Sequence, residues 1–370
     1  MLRTQILFTG YYGMKNTGDD AFVEVVSWGN KKYWNNSKSR FLAPHHLLPK
    51  TITPTLGFPL SIPKTYEFQR GILIKNTNFL ISAGGSTIHS ELAKKNIKKI
   101  AVDLKNKSNL KIGAIGISLG PFKTIRDENA VKKYLKELDF LAVRDQRSFD
   151  FASSMELPYE PVNAFDLAAL LPEIYHLEQN TLKSSELKIV GISVCPVESV
   201  HHGGNLANEN KRNSKIVNFI KIADQKENIL FRFFIINGNS KNGDLALTQK
   251  IIEASAPKNY EIITYQKETQ VMWKSVATCD FVLATRLHAA IFACFAKIPF
   301  MLIEYHQKCS DFLSTVGYNS EYRIGDAEFD PSETAEKIIG LLAKSKNYLY
   351  PTSTDELIEK AELNFTGVKL

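Results

Sequence analysis

At 370 residues, with 44% hydrophobic and 23% charged positions, the chain has the make-up of a globular protein, which excludes the disordered and fibrous classes. Its length exceeds one ordinary core and points to two domains. The formal net charge of +7 favours anionic partners, but no dense Lys/Arg run interleaved with aromatics and no nucleic-acid motif occurs, so small anions fit best and peripheral contact with an anionic membrane face is a further expectation.

The first ten residues, Met1 to Gly10, hold only a strand-length apolar run and lack the long apolar core and small-residue cleavage site of a signal peptide. No stretch approaches the roughly 18 apolar residues of a membrane span. A cytoplasmic location follows as an expectation, and Cys195, Cys279, Cys294 and Cys309, which form no C-x-x-C pair, read as reduced packing residues and not as a zinc site or a disulfide framework.

Gln5 to Phe8 is the first predicted strand, and it feeds a loop, Gly10-Tyr11-Tyr12-Gly13-Met14-Lys15-Asn16-Thr17-Gly18-Asp19-Asp20, that enters a helix over Ala21 to Tyr33. The spacing is not that of a dinucleotide fingerprint, and acids at a helix start repel phosphate, so the loop suits hydroxyls better. Tyr12, Asn16 and Asp20 are candidate contacts to such an acceptor, and Asp19 is a candidate proton acceptor. The structural alternative is that one acid caps the helix and the other complements its dipole.

Pro44 to Pro63 holds five prolines and reads as a wandering loop. A strand over Phe79 to Ser82 then reaches Gly84-Gly85, a turn whose bare amides suit an anion, with a plain tight turn as the alternative. The strand Lys111 to Ile117, the helix Asn129 to Leu138 and the strand Phe140 to Arg144 follow. Arg144 thus emerges at a strand's carboxyl end beside a helix over Gln146 to Ser154.

Leu171 to Glu186 is polar, lacks a strong period and reads as a linker. Beyond it come strands over Lys188 to Val194, Ile229 to Ile236, Tyr260 to Thr264, Phe281 to Ala284 and Phe300 to Ile303. Helices over Asn213 to Lys226, Leu245 to Ala254, Thr269 to Val276 and Ala289 to Ala296 alternate with them. His201 and His202 have no partners at metal spacing and read as loop residues that line a cleft, as acceptor contacts.

Phe281 to Ala284 ends in Thr285-Arg286-Leu287-His288. Arg286 offers a planar fork for a carboxylate or phosphate, the following helix adds amides aimed the same way, and His288 transfers protons near neutral pH. The alternative is an arginine paired with a helix carboxylate and a histidine capping its own turn. Glu304-Tyr305-His306-Gln307-Lys308 places Lys308 at the same sheet edge. The whole alternation predicts an α/β protein of two doubly wound, Rossmann-like domains facing a cleft, where Arg144 and Arg286 would clamp an acid carrying two negative groups. The expected division is residues 1–170, a linker at 171–186, residues 187–350 and a terminal helix or tail at 351–370.

Taken in order, Gly10-Tyr11-Tyr12-Gly13, Asn16-x-Gly18-Asp19, Gly84-Gly85, Val143-Arg144-Asp145, Arg286-Leu287-His288 and Tyr305-x-x-Lys308 resemble the polysaccharide pyruvyl transferase family over about Leu7 to Phe312. The resemblance implies a GT-B-like fold and transfer of pyruvate from phosphoenolpyruvate to two hydroxyls of one sugar, giving a cyclic ketal and phosphate. It implies no metal or cofactor beyond that co-substrate. By matching position, Arg144, Arg286 and Lys308, with Gly84 and Gly85, would hold the donor, His288 would be the general acid, and Asp19 would serve the saccharide or lipid-linked saccharide acceptor. Residues 1–170 would be the acceptor side and 187–350 the donor side. Two departures stand out: Ala83, where relatives carry a third glycine, and Cys195, where an arginine is common. The rival readings are a GT-B glycosyltransferase using a nucleotide sugar and a non-catalytic sugar- or anion-binding relative.

Overall fold

The computed structural model describes residues 4–59, 62, 64–105, 108–176, 187–200 and 204–370. These divide into two compact units: Met1–Met14, Asp19–Ile174 and Asp355–Leu370 form the first, and Lys15–Gly18 with Tyr175–Thr354 form the second. Each is a parallel sheet covered by helices.

The first unit's strands are β1 (Thr4–Thr9), β2 (Ser39–Leu42), β3 (Thr55–Phe58), β4 (Thr77–Ile88), β5 (Lys111–Leu119), β6 (Phe140–Val143) and β7 (Val162–Asn163). They lie in the order β3-β2-β1-β4-β5-β6-β7, all parallel. The order reverses between β1 and β4, the place where doubly wound sheets bind ligands beyond their carboxyl ends. The apolar runs that read as strands are buried on both faces, as parallel strands require: Leu7, Leu80, Ile112, Ala114 and Leu141 share one cluster on one face, and Ile6, Phe8, Ile81 and Ile115 are buried on the other.

Two expectations are corrected here. The proline-rich stretch is not wholly loop, because Thr55–Phe58 forms the edge strand β3; Pro54 and Pro59 bracket it, and an edge strand needs ladder bonds on one side only. Nor does Gly84-Gly85 end a strand, since β4 runs on to Ile88 with a register shift after Gly85. Both glycines have positive φ, +77° and +76°, which lets the backbone bulge without leaving the sheet.

The helix Thr354–Thr366 returns to the first unit. The backbone N–H of Gly116 donates to Asn364 Oδ1 at 2.6 Å, Asn364 Nδ2 donates to Phe165 O at 2.8 Å, and the Phe365 ring stacks on Tyr33. This helix fills a groove that the first unit's earlier residues leave open.

Lys98, in the helix Ile97–Lys105, is buried and its Nζ donates to Thr87 O at 2.8 Å, steadying β4 just beyond the glycines. Burial pulls its amine down to about 8, against about 10.4 in an unfolded chain. Between those values the unfolded chain holds a proton that the folded chain has released, so stability rises as pH climbs through that window. Lys98→Met is therefore expected to be more stable than the native protein at pH 7, by up to about 3 kcal/mol, with the advantage shrinking at pH 10. Urea denaturation at the two pH values measures it, and an unchanged difference would remove Lys98 as its source.

The second unit's strands are β8 (Lys188–Ser193), β9 (Ile229–Phe234), β10 (Tyr260–Ile263), β11 (Phe281–Ala284), β12 (Phe300–Glu304) and β13 (Ile324–Gly325). Their order, β10-β9-β8-β11-β12-β13, is again all parallel and reverses between β8 and β11. The two units thus repeat one winding, although no repeat is visible in the sequence. Of the expected linker, Leu171–Ile174 is a short helix with Leu171 and Ile174 buried, and residues 177–186 lie outside the described residues. All four cysteines are buried and free.

Candidate active site

In the second unit the switch point is built from the ends of β8, β11 and β12. Thr285 N–H donates to Ser193 O at 2.8 Å and Arg286 N–H to Ser193 Oγ at 3.3 Å, which fixes where the turn leaves the sheet. Arg286 is the N-cap residue of the helix Leu287–Phe295, so His288 sits in that helix's first turn. The Arg286 side chain does not stand open. Its Nε donates to Asp244 Oδ1 at 3.0 Å, Nη2 donates to the same oxygen, and Nη1 meets no acceptor among the described residues.

Asp244 is wholly buried and precedes the helix Leu245–Ser255; its Oδ2 accepts from Asn237 N–H at 2.8 Å. Burial pushes its carboxyl up, opposed by the Arg286 charge and by the amides bonded to it. For Arg286 burial works against the charge, but Cys195 and Asp244 hold its pKa above the ordinary value. The guanidinium is therefore permanently charged and pinned, with one nitrogen left for a ligand. Burial pushes the Cys195 thiol up to about 11 even with Arg286 beside it, so Cys195 is a neutral thiol at pH 7. Burial likewise raises the Tyr305 phenol, and the Arg212 guanidinium lies 5.4 Å from its ring centre. Lys308 is exposed in the first turn of the helix Gln307–Thr315, where His306 Nδ1 accepts its backbone N–H.

The segment Lys15–Gly18 is stitched to this unit. Thr17 N–H donates to Ile236 O at 2.9 Å and Gly238 N–H to Lys15 O at 2.8 Å. Asn16 Oδ1 accepts Gly18 N–H at 3.0 Å at the start of the helix Thr17–Lys32, so Asn16, and neither aspartate, takes the capping position. A Cβ on Gly18 would lie 2.1 Å from His288 Nδ1. The imidazole is packed flat against a residue that has no side chain.

The first unit gathers a second set. A Cβ on Gly85 would lie 3.7 Å from Asp19 Oδ1, and one on Gly84 would strike the Phe22 ring at 2.4 Å. The Arg144 guanidinium sits 5.8 Å from that same ring centre. Arg144 is held as Arg286 is: Nη1 donates to buried Asp166 Oδ2 at 2.6 Å and Nε to Ser118 Oγ at 2.7 Å, leaving Nη2 without an acceptor among the described residues.

Asp19 is half-buried, whereas Asp20 is 1% exposed. Tyr12 is buried too, and its hydroxyl donates to Ala83 O at 2.7 Å; burial and the Asp19 charge raise its phenol. These placements correct two expected acceptor contacts. Tyr12 and Asp20 are interior residues, and Tyr12 fixes the backbone just before Gly84-Gly85. Neither arginine offers the open fork expected of it, because each spends two of its nitrogens on protein partners and keeps one. His201 and His202 lie outside the described residues.

Sequence reading missed Asp244, Asp166, Ser118 and Ser193. The available signal was an aspartate just ahead of a predicted helix, as at Asp244-Leu245, which reads as a cap and not as an arginine's partner. Among the described residues no cluster of three or more His, Cys, Asp or Glu side chains is arranged to hold a metal ion. No helix of the described residues is long and apolar enough to cross a membrane.

The family model of polysaccharide pyruvyl transferases matches residues 13–307. No curated protein sequence matches the chain. Among solved structures, a putative UDP-N-acetylglucosamine 2-epimerase from Listeria monocytogenes is similar, with a TM-score of 0.62 at 8% identity over 99% of this chain and 94% of that one. The UDP-GlcNAc 2-epimerase from Neisseria meningitidis, bound to UDP-GlcNAc, gives 0.59 at 10% identity over 98% and 97%. A glycosyltransferase from Rickettsia africae gives 0.52 at 11% identity over 99% and 95%. At such identities these likenesses speak for the fold alone, two parallel-sheet α/β domains of the GT-B kind.

Proposed function

The chain belongs to the polysaccharide pyruvyl transferase family, and on that premise we propose that it moves pyruvate from phosphoenolpyruvate to two hydroxyls of a saccharide, forming a cyclic ketal and releasing phosphate. The observation that supports this most is the Arg286–His288 turn. A permanently charged guanidinium, locked by buried Asp244, stands two residues ahead of an imidazole fixed against Gly18.

The reaction begins with a proton passed from the His288 imidazolium to the methylene carbon of the donor, which becomes a methyl group while positive charge builds on the adjacent carbon. A dianionic donor favours the charged imidazolium that this step needs. One sugar hydroxyl adds to that carbon and gives up its proton, for which Asp19 is the proposed acceptor. The carbon–oxygen bond to phosphate then breaks, and the second hydroxyl closes the ketal. Of the two hydroxyl protons, the one taken by Asp19 passes on to the departing phosphate, and the other restores His288. Arg286, through Nη1, and Lys308 are assigned to the carboxylate and phosphate of the donor, where their charge offsets that of the leaving group.

Phosphate release from phosphoenolpyruvate, measured against a panel of free and lipid-linked sugars, tests the reading. Acceptor-dependent release is the expected result. Calorimetric binding of a nucleotide sugar, with none of phosphoenolpyruvate and no phosphate release, would overturn it in favour of glycosyl transfer.

Gly18→Ala is a further test. A methyl group there has to displace the His288 ring, and a misplacement of about 1 Å costs on the order of a hundredfold in rate. The expected outcome is that loss in phosphate release with little change in thermal stability. Unchanged turnover would show that the position of the ring is not critical.

A further inference from the structure

We propose that the first unit carries a second binding site, at the β3 edge of its sheet, for a membrane lipid with an aliphatic chain and an anionic head. A cavity of about 520 Å³ opens there, lined by Arg40 on β2, Phe58 on β3, Ile62, and Phe68, Ile72 and Leu73 on the helix Tyr66–Lys75, among others. That volume is the size of a small-molecule site, and the lining is mainly hydrocarbon. It suits an alkyl or isoprenyl chain and offers little to a sugar or a free phosphate.

Arg40 supplies the polar end. Its guanidinium carbon lies 4.3 Å from the Phe58 ring centre, its Nε is buried, and among the described residues it has no hydrogen-bond or ion-pair partner. Partial burial lowers its pKa. A half-buried cation with its Nε buried and no acceptor is left partly unsatisfied, and an anionic head group at the cavity would supply that acceptor. Six other arginines differ: Arg126, Arg144, Arg212, Arg232, Arg286 and Arg323 each pair with a carboxylate.

The surroundings fit a bilayer surface. Leu47, Ile52, Leu56, Ile62, Tyr66 and Phe68 are exposed within one short stretch, and Phe68, at 71%, is the most exposed large apolar side chain among the described residues. A concentration of this kind marks an interaction surface, whereas single exposed apolar residues do not. Lys50, Lys64 and Lys75 are exposed within residues 40–76, whose one acidic residue is Glu67. Basic residues beside inserted apolar ones are what an anionic leaflet attracts. The site stands apart from the residues assigned to transfer chemistry, so either proposal can fail alone.

The test titrates the full chain calorimetrically with dodecyl phosphate below its micelle concentration, with butyl phosphate and with inorganic phosphate. Saturable binding of dodecyl phosphate is expected, about a hundredfold or more tighter than of butyl phosphate. Arg40→Gln should weaken it by about tenfold, and Ile72→Trp, which fills the cavity, should abolish it. In flotation assays the protein should accompany phosphatidylglycerol vesicles and not phosphatidylcholine vesicles, and Phe68→Asp should remove that association. The proposal is overturned if dodecyl phosphate does not bind, if inorganic phosphate binds equally well, or if neither cavity variant changes the affinity. Vesicle binding that survives Phe68→Asp would place membrane contact elsewhere.

Discussion

His288→Ala is expected to slow phosphate release from phosphoenolpyruvate by about 10² to 10⁴, the range that a positioned general acid supplies. Donor affinity should change by no more than about threefold, because the groups assigned to the donor's charge are Arg286 and Lys308. The split between rate and binding is the informative part. A structural histidine at the head of the helix Leu287–Phe295 would lower both through misfolding, whereas a proton donor lowers turnover and leaves the calorimetric titration intact. Native turnover in His288→Ala would take the residue out of the mechanism.

Asp244→Ala is expected to cost about 3–5 kcal/mol of stability, the penalty for leaving a largely buried cation without its partner. Asp244 has no exposed side-chain surface and Arg286 only 20%, so solvent screening relieves little of it. The same substitution also strips the acceptor from Asn237 N–H, in the loop that holds Lys15 to Gly18. Donor affinity should fall with stability, because a released Arg286 no longer presents Nη1 in one place. The double variant Asp244→Leu with Arg286→Met should recover most of the stability and none of the donor binding, since an apolar pair replaces an ion pair at little cost. Chemical denaturation and calorimetry together read this. A loss below about 1 kcal/mol in Asp244→Ala would mean that the pair is solvated and does not lock the turn.

The parts of the site that lie within one strand, turn and helix were legible in the sequence. Phe281–Ala284 followed by Arg286 and His288 reads as such a unit because its periodicity, small residues and charges are all local. Asp244 and Asp166 were not legible: they sit 42 and 22 residues from the arginines they hold, and only the order of strands in the sheet brings them near. Gly84-Gly85 misled for a related reason. Paired glycines signal a turn when read locally, yet pairing with β5 on one side carries β4 through them. The edge strand β3 was hidden by its flanking prolines, which mark where it begins and ends. Tyr12 looked like a ligand contact because nothing in a linear reading shows that its hydroxyl reaches Ala83, 71 residues away.

The helix Thr354–Thr366, which brings Asn364 to Gly116 and Phe165, gives the molecule an unusual order of completion. On a ribosome the second unit emerges before the first has received its last piece, an interval of roughly ten to forty seconds at ordinary elongation rates. Through that interval the nascent first unit carries an unfilled groove, with Gly116 lacking its acceptor and Tyr33 its stacking partner. The half that is made first is finished last, and a chaperone that recognises exposed apolar surface would meet this protein during that wait.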